Sequence, residues 1–230
     1  MLTQTMTTRS SSHRPVLRTA PPVPPVIPRS FNNSIELMGA PMPFARNEEI
    51  YGENEPAEYL YKVLSGTVRT YKVLNDGRRQ IGAFYLPGDI FGLEAGDEHM
   101  FSAEAIVDCK VLVIKRSSVI SLAARESDVA RQLWEMTAAE LQRAQDHIML
   151  LIKTAQERVA GFLLEMAKRA PAGNEVELPM SRQDIADYLG LTIETVSRTL
   201  TQLENAAAIS VPSSRHIVLR NRAALTRMNA

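Results

Sequence analysis

Cysteine is nearly absent from this sequence, which has Cys109 alone among 230 residues. A single cysteine excludes an intrachain disulfide and any zinc finger built from clustered cysteines, and it fits a reducing cytosol. Long apolar runs are also absent, since none approaches the ~20 residues that span a bilayer, and the amino terminus lacks the apolar core of a signal peptide. We therefore expect a cytoplasmic protein with no membrane partner.

An excess of charge of either sign is missing as well. The 26 basic and 26 acidic residues cancel, so the protein is not a polycation that would coat nucleic acid through bulk charge, and any DNA contact must be local. The 4 histidines are scattered without the spacing of metal ligands. We expect neither a metal nor another cofactor.

Residues 1–31 form a proline-rich segment. The stretch up to Ser30 contains four arginines, no acidic residue and the run APPVPPVIP. Clustered prolines remove backbone donors and favour extended conformations, so this segment is expected to be a disordered tail. A tail that contacts DNA or a partner is the alternative.

Short apolar stretches of strand length follow, from about Tyr59 to Ile114, separated by turn residues. This pattern predicts an antiparallel β domain. Asp76-Gly77 suits a tight hairpin in which both central residues take a positive φ. Alternation along residues 105–111 predicts one strand, with Cys109 facing the core.

A helical period begins after Asp128 and continues without a proline to about Arg169. Apolar and small residues recur along it at spacings of three and four, which places them on one stripe of a long helix: Thr137, Leu141, Ala144, Ile148, Leu151 and Ala155. The stripe would pack either on the β domain or on its own copy. Its length favours a homodimer, with the first five of these residues at the interface.

Residues 181–205 carry the signals of a helix-turn-helix. Ser181 followed by Asp184 is a capping-box pattern that opens a short helix, and Gly190 ends it. Thr192 then caps a second helix, whose apolar stripe must pack on the first helix. Two helices joined by a short glycine-containing turn suit entry into the major groove of double-stranded DNA. Residues 208–212 and 215–219 predict a small hairpin, or wing, with Arg215 and His216 near its tip.

The second helix presents an outward polar row that suits base reading. Arg198 can donate two hydrogen bonds to guanine, Glu194 can accept from the cytosine amino group, and Ile193 can contact a thymine methyl group. The predicted base-reading set is Ile193, Glu194, Ser197 and Arg198. The predicted phosphate-contacting set, mostly near helix starts, is Ser181, Arg182, Gln183, Thr192, Thr195 and Thr201. The alternative for Glu194 and Arg198 is a solvated ion pair on an exposed helix.

This region, with Ile193-Glu194-Thr195-Val196-Ser197-Arg198 at its centre, resembles the recognition region of the Crp/Fnr superfamily, in its Fnr/FixK branch and most like the rhizobial FixK type. Gly66, the run Gly88-Asp89-Ile90-Phe91-Gly92 and the long helix resemble that superfamily's cyclic-nucleotide-binding-type β-roll and dimer helix. The resemblance implies an α+β chain with a β-roll at 32–123, a dimerisation helix at 124–152 and a winged helix-turn-helix at 153–230. It also implies a palindromic operator of the TTGAT-N4-ATCAA kind, with half-sites ~34 Å apart.

The resemblance departs at the effector site. Leu93 stands where the cyclic-AMP-binding branch has a glutamate, and the arginine-serine pair that grips the phosphate falls near His99 and Met100. An anion buried without a cationic partner is costly, so we expect no cyclic nucleotide. An iron–sulfur cluster needs about four cysteines, which Cys109 alone cannot supply.

What remains resembles FixK-type regulators, which implies an effector-independent activator, not an enzyme, that recruits RNA polymerase through a loop at residues 170–174 and acts in nitrogen fixation or microaerobic metabolism. Four alternatives stay open: an unidentified small effector, control by oxidation of Cys109, a repressor, and a cupin-type enzyme. Burial among apolar residues argues against a reactive Cys109, and the sequence lacks the clustered histidines of a cupin.

Overall fold

The computed structural model describes residues 33–169 and 173–229. The predicted tail at residues 1–31 and part of the predicted polymerase-contacting loop therefore lie outside the described residues. Within the described ranges, the chain passes from a short helix, α1 (Asn33–Glu36), through a β-roll and a long helix into a smaller helical domain with a three-stranded sheet.

The β-roll consists of two antiparallel four-stranded sheets. Their strand orders are β1-β8-β3-β6 and β2-β7-β4-β5. The strands are β1 (Ala40–Phe44), β2 (Glu49–Tyr51), β3 (Tyr59–Ser65), β4 (Val68–Val73), β5 (Arg79–Tyr85), β6 (Ile90–Phe91), β7 (Ser102–Ala105) and β8 (Cys109–Lys115). The antiparallel β domain that the short apolar stretches predict is confirmed, and it begins earlier than Tyr59.

The single strand predicted for residues 105–111 is wrong. β7 ends at Ala105 and β8 begins at Cys109, with a bend over residues 106–108. The Asp108 carboxylate accepts a hydrogen bond from the Arg46 amide at 2.9 Å, which fastens this bend to the start of the roll. Cys109 is nevertheless buried, as predicted, because its side chain lies in an apolar cluster with Tyr61, Val63 and Val111.

The β4–β5 hairpin also differs from its prediction. Gly77 has a positive φ of 82°, whereas Asp76 does not belong to the residues with positive φ. The amide of Gly77 donates to the Leu74 carbonyl and the amide of Leu74 to the Arg78 carbonyl. The connection is therefore a type I turn closed by a glycine bulge, which needs a positive φ only at the glycine.

The long helix predicted to reach Arg169 is two helices. α3 spans Ser127–Leu151 and α4 spans Ala155–Arg169. Thr154 and Glu157 form the reciprocal hydrogen bonds of a capping box at the break, with the Glu157 carboxylate accepting from the Thr154 amide at 2.7 Å. Ala155 thus lies on α4 and not on the α3 stripe. An additional helix, α2 (Arg116–Ala123), precedes α3 and was not predicted.

The carboxy-terminal domain packs α4 against the helix-turn-helix and a small sheet. α5 spans Arg182–Leu189, α6 spans Ile193–Asn205 and α7 spans Arg222–Met228. The sheet order is β10-β11-β9, with β9 at Glu175–Glu177, β10 at Ile209–Ser213 and β11 at His216–Leu219. Phe162, Leu163, Ile185 and Leu203 are buried together in its core.

The predicted fold class is confirmed: an antiparallel β-roll, a long helix and a winged helix-turn-helix. No helix in the described part of the chain is long and apolar enough to cross a bilayer.

Candidate nucleic-acid interface

The first helix of the helix-turn-helix starts at a complete capping box. The Ser181 hydroxyl accepts from the Asp184 amide at 3.1 Å, and the Asp184 carboxylate accepts from the Ser181 amide at 2.9 Å. These bonds satisfy two of the free backbone donors at the helix start. The signal read in the sequence is therefore present as geometry.

The turn and the second helix are also built as predicted. Gly190 takes the left-handed conformation, with φ 61° and ψ 40°, and ends α5. The Thr192 hydroxyl accepts from the Thr195 amide at 3.2 Å and so caps α6. Val196, Leu200 and Leu203 form the buried face of α6. Their burial fixes how the helix is rotated about its axis.

That rotation leaves the predicted base-reading side chains in solvent. Ile193, Glu194, Ser197 and Arg198 are all exposed, as is Thr201 one turn further on. The pKa of Glu194 is lowered, first by a hydrogen bond from its own amide and then by the Thr192 side chain, with the Arg198 charge the weakest cause. Both side chains are exposed, which leaves them accessible to a base.

Most predicted phosphate-contacting side chains form hydrogen bonds within the protein. The Ser181 hydroxyl serves the capping box, and the Thr192 and Thr195 hydroxyls lie 3.1 Å from each other. Gln183 donates to Asp187 at 2.6 Å, and the Thr201 hydroxyl donates to the Ser197 carbonyl at 3.1 Å. The exposed helix starts still present backbone amides, which can donate hydrogen bonds to phosphate without help from the side chains.

Arg182 is the predicted phosphate contact with a charge. It is half-buried at the start of α5, and its Nη1 atom is buried without a hydrogen-bond partner among the described residues. Burial lowers the pKa of its guanidinium. A buried cationic donor without a partner is costly, and a phosphate oxygen can become its acceptor only after the side chain moves outward.

The wing is a β-hairpin with a two-residue turn, and it lies beside α6. Ser213 pairs with His216, so Ser214 and the exposed Arg215 form its tip. The third strand, β9, pairs with β11 and was not predicted, since it is only three residues long. The positions of Arg215 and His216 at or beside the tip are confirmed.

The outer face of α3 is apolar and exposed. Trp134, Leu141 and Ile148 lie seven residues apart, and they and Ile152 keep 75%, 59%, 62% and 71% of their surface exposed, respectively. Positions seven apart fall on one helix face. Of the predicted interface set, Thr137 and Ala144 are also exposed, whereas Leu151 is half-buried and faces Gly190.

Sequence reasoning missed Trp134 and Ile152, although a seven-residue spacing from Leu141 would have found the tryptophan. The predicted stripe shares Leu141 and Ile148 with the exposed apolar row, but its other residues lie to one side of that row.

Aromatic side chains occupy the interior of the β-roll. The rings of Tyr51 and His99 stack with their centroids 3.6 Å apart, and Tyr61 and Phe91 stack at 5.0 Å. Tyr85 adds a further ring 5.1 Å from Phe91. Burial raises the pKa of Tyr61 to about 12. His99, near which the resemblance puts the phosphate-gripping pair, is thus buried against Tyr51.

Cys109 lies in the same apolar cluster. Its Sγ atom is 3.2 Å from the Thr67 carbonyl oxygen and 3.0 Å from that of Val107. Burial raises the pKa of its thiol, which lowers the fraction of reactive thiolate. Across residues 33–169 and 173–229, no three histidine, cysteine or acidic side chains are grouped so that they could hold a metal ion.

Comparison with known proteins agrees with this architecture. A family model described as a cyclic nucleotide-binding domain matches residues 41–126, and one described as a Crp-like helix-turn-helix domain matches residues 157–228. The nitrogen fixation regulation protein FixK of Azorhizobium caulinodans is 54% identical over 202 residues, which cover 85% of this chain and 82% of that protein. The protein of the same name from Rhizobium meliloti is 42% identical over 170 residues, covering 74% and 77%.

Among solved structures, FixK2 from Bradyrhizobium japonicum superposes with a TM-score of 0.81 at 55% identity, covering 84% of this chain and 98% of that one. These relatives are regulators, so the chain is a regulator and not an enzyme, which removes the cupin-type alternative. The cap geometry, the exposed reading row and these similarities lead to one conclusion: the chain belongs to the Crp/Fnr family of DNA-binding transcription regulators, in which the FixK proteins are its relatives.

Proposed function

We propose that this protein binds as a homodimer to palindromic operators of the TTGAT-N4-ATCAA kind and activates transcription in the cytoplasm without a small effector. The observation that carries the proposal is the exposed row of Glu194, Ser197 and Arg198 on a capped, tightly packed helix. A rigid helix with an outward polar row can enter the major groove without rearrangement.

The row has the chemistry to read the half-site. The Arg198 guanidinium matches the two acceptors of guanine, and the exposed Glu194 carboxylate can accept from the cytosine amino group. Ile193 at the helix start presents methyl groups to thymine. Backbone amides at the starts of α5 and α6, with Arg182, would hold the phosphates and fix the register.

Two-fold symmetry would come from α3. Its exposed face of Trp134, Leu141, Ile148 and Ile152 is apolar along about five turns of helix. A single-sided apolar stripe of this length on a long helix is typical of helix pairing. Pairing would place the two α6 helices, one from each protomer, in successive major grooves ~34 Å apart.

Effector independence is supported by what fills the β-roll. Tyr51, Tyr61, Tyr85, Phe91 and His99 are buried and pack against one another in the interior of the β-roll. A metabolite would have to displace these rings and lose their packing. The alternative of a small effector predicts that some metabolite raises the melting temperature; the alternative of Cys109 oxidation requires a thiol that is exposed, whereas this one is buried with a raised pKa.

Activation, RNA polymerase recruitment and a role in nitrogen fixation are proposed from the FixK relatives, whose name is nitrogen fixation regulation protein. In vitro transcription from a promoter with the operator upstream distinguishes activation from repression. Transcript levels that rise with the protein support the proposal, and levels that fall make the protein a repressor at that promoter.

Base reading is tested by Arg198→Ala. We expect the preference for guanine in each half-site to fall by ~1–3 kcal/mol, because the bidentate contact is lost. Arg215→Ala is the matched control, because Arg215 is exposed at the wing tip and lies outside the base-reading set: its loss should leave the guanine preference unchanged, with any fall in affinity equal for all sequences. An unchanged guanine preference in Arg198→Ala contradicts the assignment.

A further inference from the structure

Four charged side chains join the helix-turn-helix to the β-roll of the same chain. Asp184 and Asp187 project from α5, and Arg69 and Arg79 project from β4 and β5. Asp184 Oδ1 lies 2.8 Å from Arg69 Nη1 and 2.6 Å from Arg79 Nη2, and Asp187 Oδ2 lies 2.8 Å from Arg79 Nε. We call these four residues the interdomain clamp.

The clamp is buried at its centre. Asp184 and Arg69 are both buried, and Arg69 also pairs with Glu104 of β7 at 2.7 Å. The pKa of Asp184 is lowered: burial opposes this, but the hydrogen bonds from Ser181 and the charges of Arg69 and Arg79 outweigh it. The same carboxylate therefore caps α5, the first helix of the helix-turn-helix, and accepts hydrogen bonds from two guanidinium groups of the β-roll.

Buried ion pairs contribute little net stability but strongly penalise any geometry that breaks them. A carboxylate that loses its cationic partners at this interface can recover hydration only if the two domains move apart. The clamp thus selects one orientation of α5 on the β-roll, which is a different role from holding the domains together.

Attachment is provided elsewhere. The rings of Phe84 on β5 and Tyr188 on α5 lie 5.1 Å apart, and Phe84 also approaches Phe162 of α4 at 6.2 Å. Arg169, at the end of α4, pairs with Asp89 of the β-roll. None of these contacts involves a clamp residue, so loss of the clamp is expected to loosen the angle of α5 and not to detach the domain.

We propose that Arg69 and Arg79 are positioning residues for operator recognition. By fixing α5 on the β-roll, they fix the distance between the two α6 helices of a dimer and so make the protein selective for the spacing of the half-sites. This inference rests on the proposed function, because spacing has meaning only for a dimer on a palindrome.

The test compares operators whose central spacer is correct, shortened by one base pair or lengthened by one base pair. Wild-type protein should prefer the correct spacer. Arg79→Gln should lose about tenfold of that preference, the equivalent of ~1.4 kcal/mol, while keeping its guanine preference within each half-site. Arg79→Lys keeps a cation facing both Asp184 and Asp187 and should retain most of the spacing preference.

Arg78→Gln is the matched control. Arg78 neighbours Arg79 but is exposed and pairs within its own hairpin with Asp76 at 2.7 Å. Its spacing preference should equal that of wild type. Equal spacing preferences in wild type and Arg79→Gln, or a wild type indifferent to spacing, overturn the inference.

A second measurement separates failure of this inference from failure of the proposed function. NMR residual dipolar couplings of the full-length protein without DNA report the angle between the two domains. The clamp predicts the same angle in wild type and Arg78→Gln, and a changed angle in Arg79→Gln and Arg69→Gln. A wild type that does not bind the palindrome contradicts the proposed operator alone; an unchanged angle in both Arg79→Gln and Arg69→Gln contradicts the clamp.

Discussion

Leu141→Asp tests whether α3 forms the dimer interface. Leu141 is central in the exposed row that runs from Trp134 to Ile152, and 59% of its surface is in solvent in one protomer. Full burial of a leucine side chain stabilises by about 1.5–3 kcal/mol. Burial of the exposed 59% on pairing therefore contributes ~0.9–1.8 kcal/mol per protomer.

The symmetry of a dimer doubles this contribution. Both copies of Leu141 are lost at once, so the substitution removes ~2–3.5 kcal/mol of dimerisation free energy. At ~1.4 kcal/mol per factor of ten, the dissociation constant of the dimer rises roughly 20- to 300-fold. This is a lower bound, because two aspartates facing each other across the axis also repel and lose hydration.

Sedimentation equilibrium over a dilution series measures the change directly. Asp146→Ala is the control, because Asp146 is exposed on α3 but lies away from the row of Trp134, Leu141 and Ile148. We expect the control to dimerise as wild type does. A dissociation constant for Leu141→Asp within about twofold of wild type would refute the reasoning and would mean that this face packs elsewhere.

Three further predictions concern the β-roll and the clamp. Wild type and Cys109→Ser should bind the operator with equal affinity, with and without peroxide, because the wild-type thiol is buried with a raised pKa; binding by the wild type that is lost on oxidation and preserved in the variant would contradict this. Gly66→Ala should destabilise the fold by ~1–3 kcal/mol, measured by urea denaturation, since Gly66 has φ 84° and a Cβ would lie 2.5 Å from the Asp108 carbonyl oxygen. The lowered pKa of Asp184 stabilises the fold above its unfolded pKa of about 3.9, and that contribution disappears as pH falls through the lower folded value. Unfolding of Asp184→Asn should therefore depend less on pH below about 4 than that of wild type, and equal pH slopes would argue against the ion pairs.

The helix-turn-helix was predictable because the sequence patterns that specify it are local. The Ser181 to Asp184 capping box, the turn at Gly190 and the cap at Thr192 each depend on residues within a few positions of one another. Local rules also identify the break between α3 and α4 afterwards: Thr154 and Glu157 have capping-box spacing, and only the absence of proline led to a continuous helix being predicted.

The interdomain clamp was not predictable in the same way. Arg69 and Asp184 are 115 residues apart and meet only because α5 packs on β5, which is paired with the β4 strand that carries Arg69. A pattern of charges along the sequence carries no information about such a pair. The bend at residues 106–108 was missed for a related reason, since alternation of apolar residues continues through it although the chain leaves one sheet and enters the other.

The most direct test of the proposed operator is to measure binding of the purified protein, with no ligand added, to two duplexes. One is TTGAT-N4-ATCAA, and the other is the same duplex with both guanines replaced. Both measurements use one fixed salt concentration, because phosphate contacts make affinity steeply salt-dependent. The account predicts tight binding to the first duplex and affinity lower by ~1–3 kcal/mol for each replaced guanine. Equal affinity for the two duplexes would contradict it.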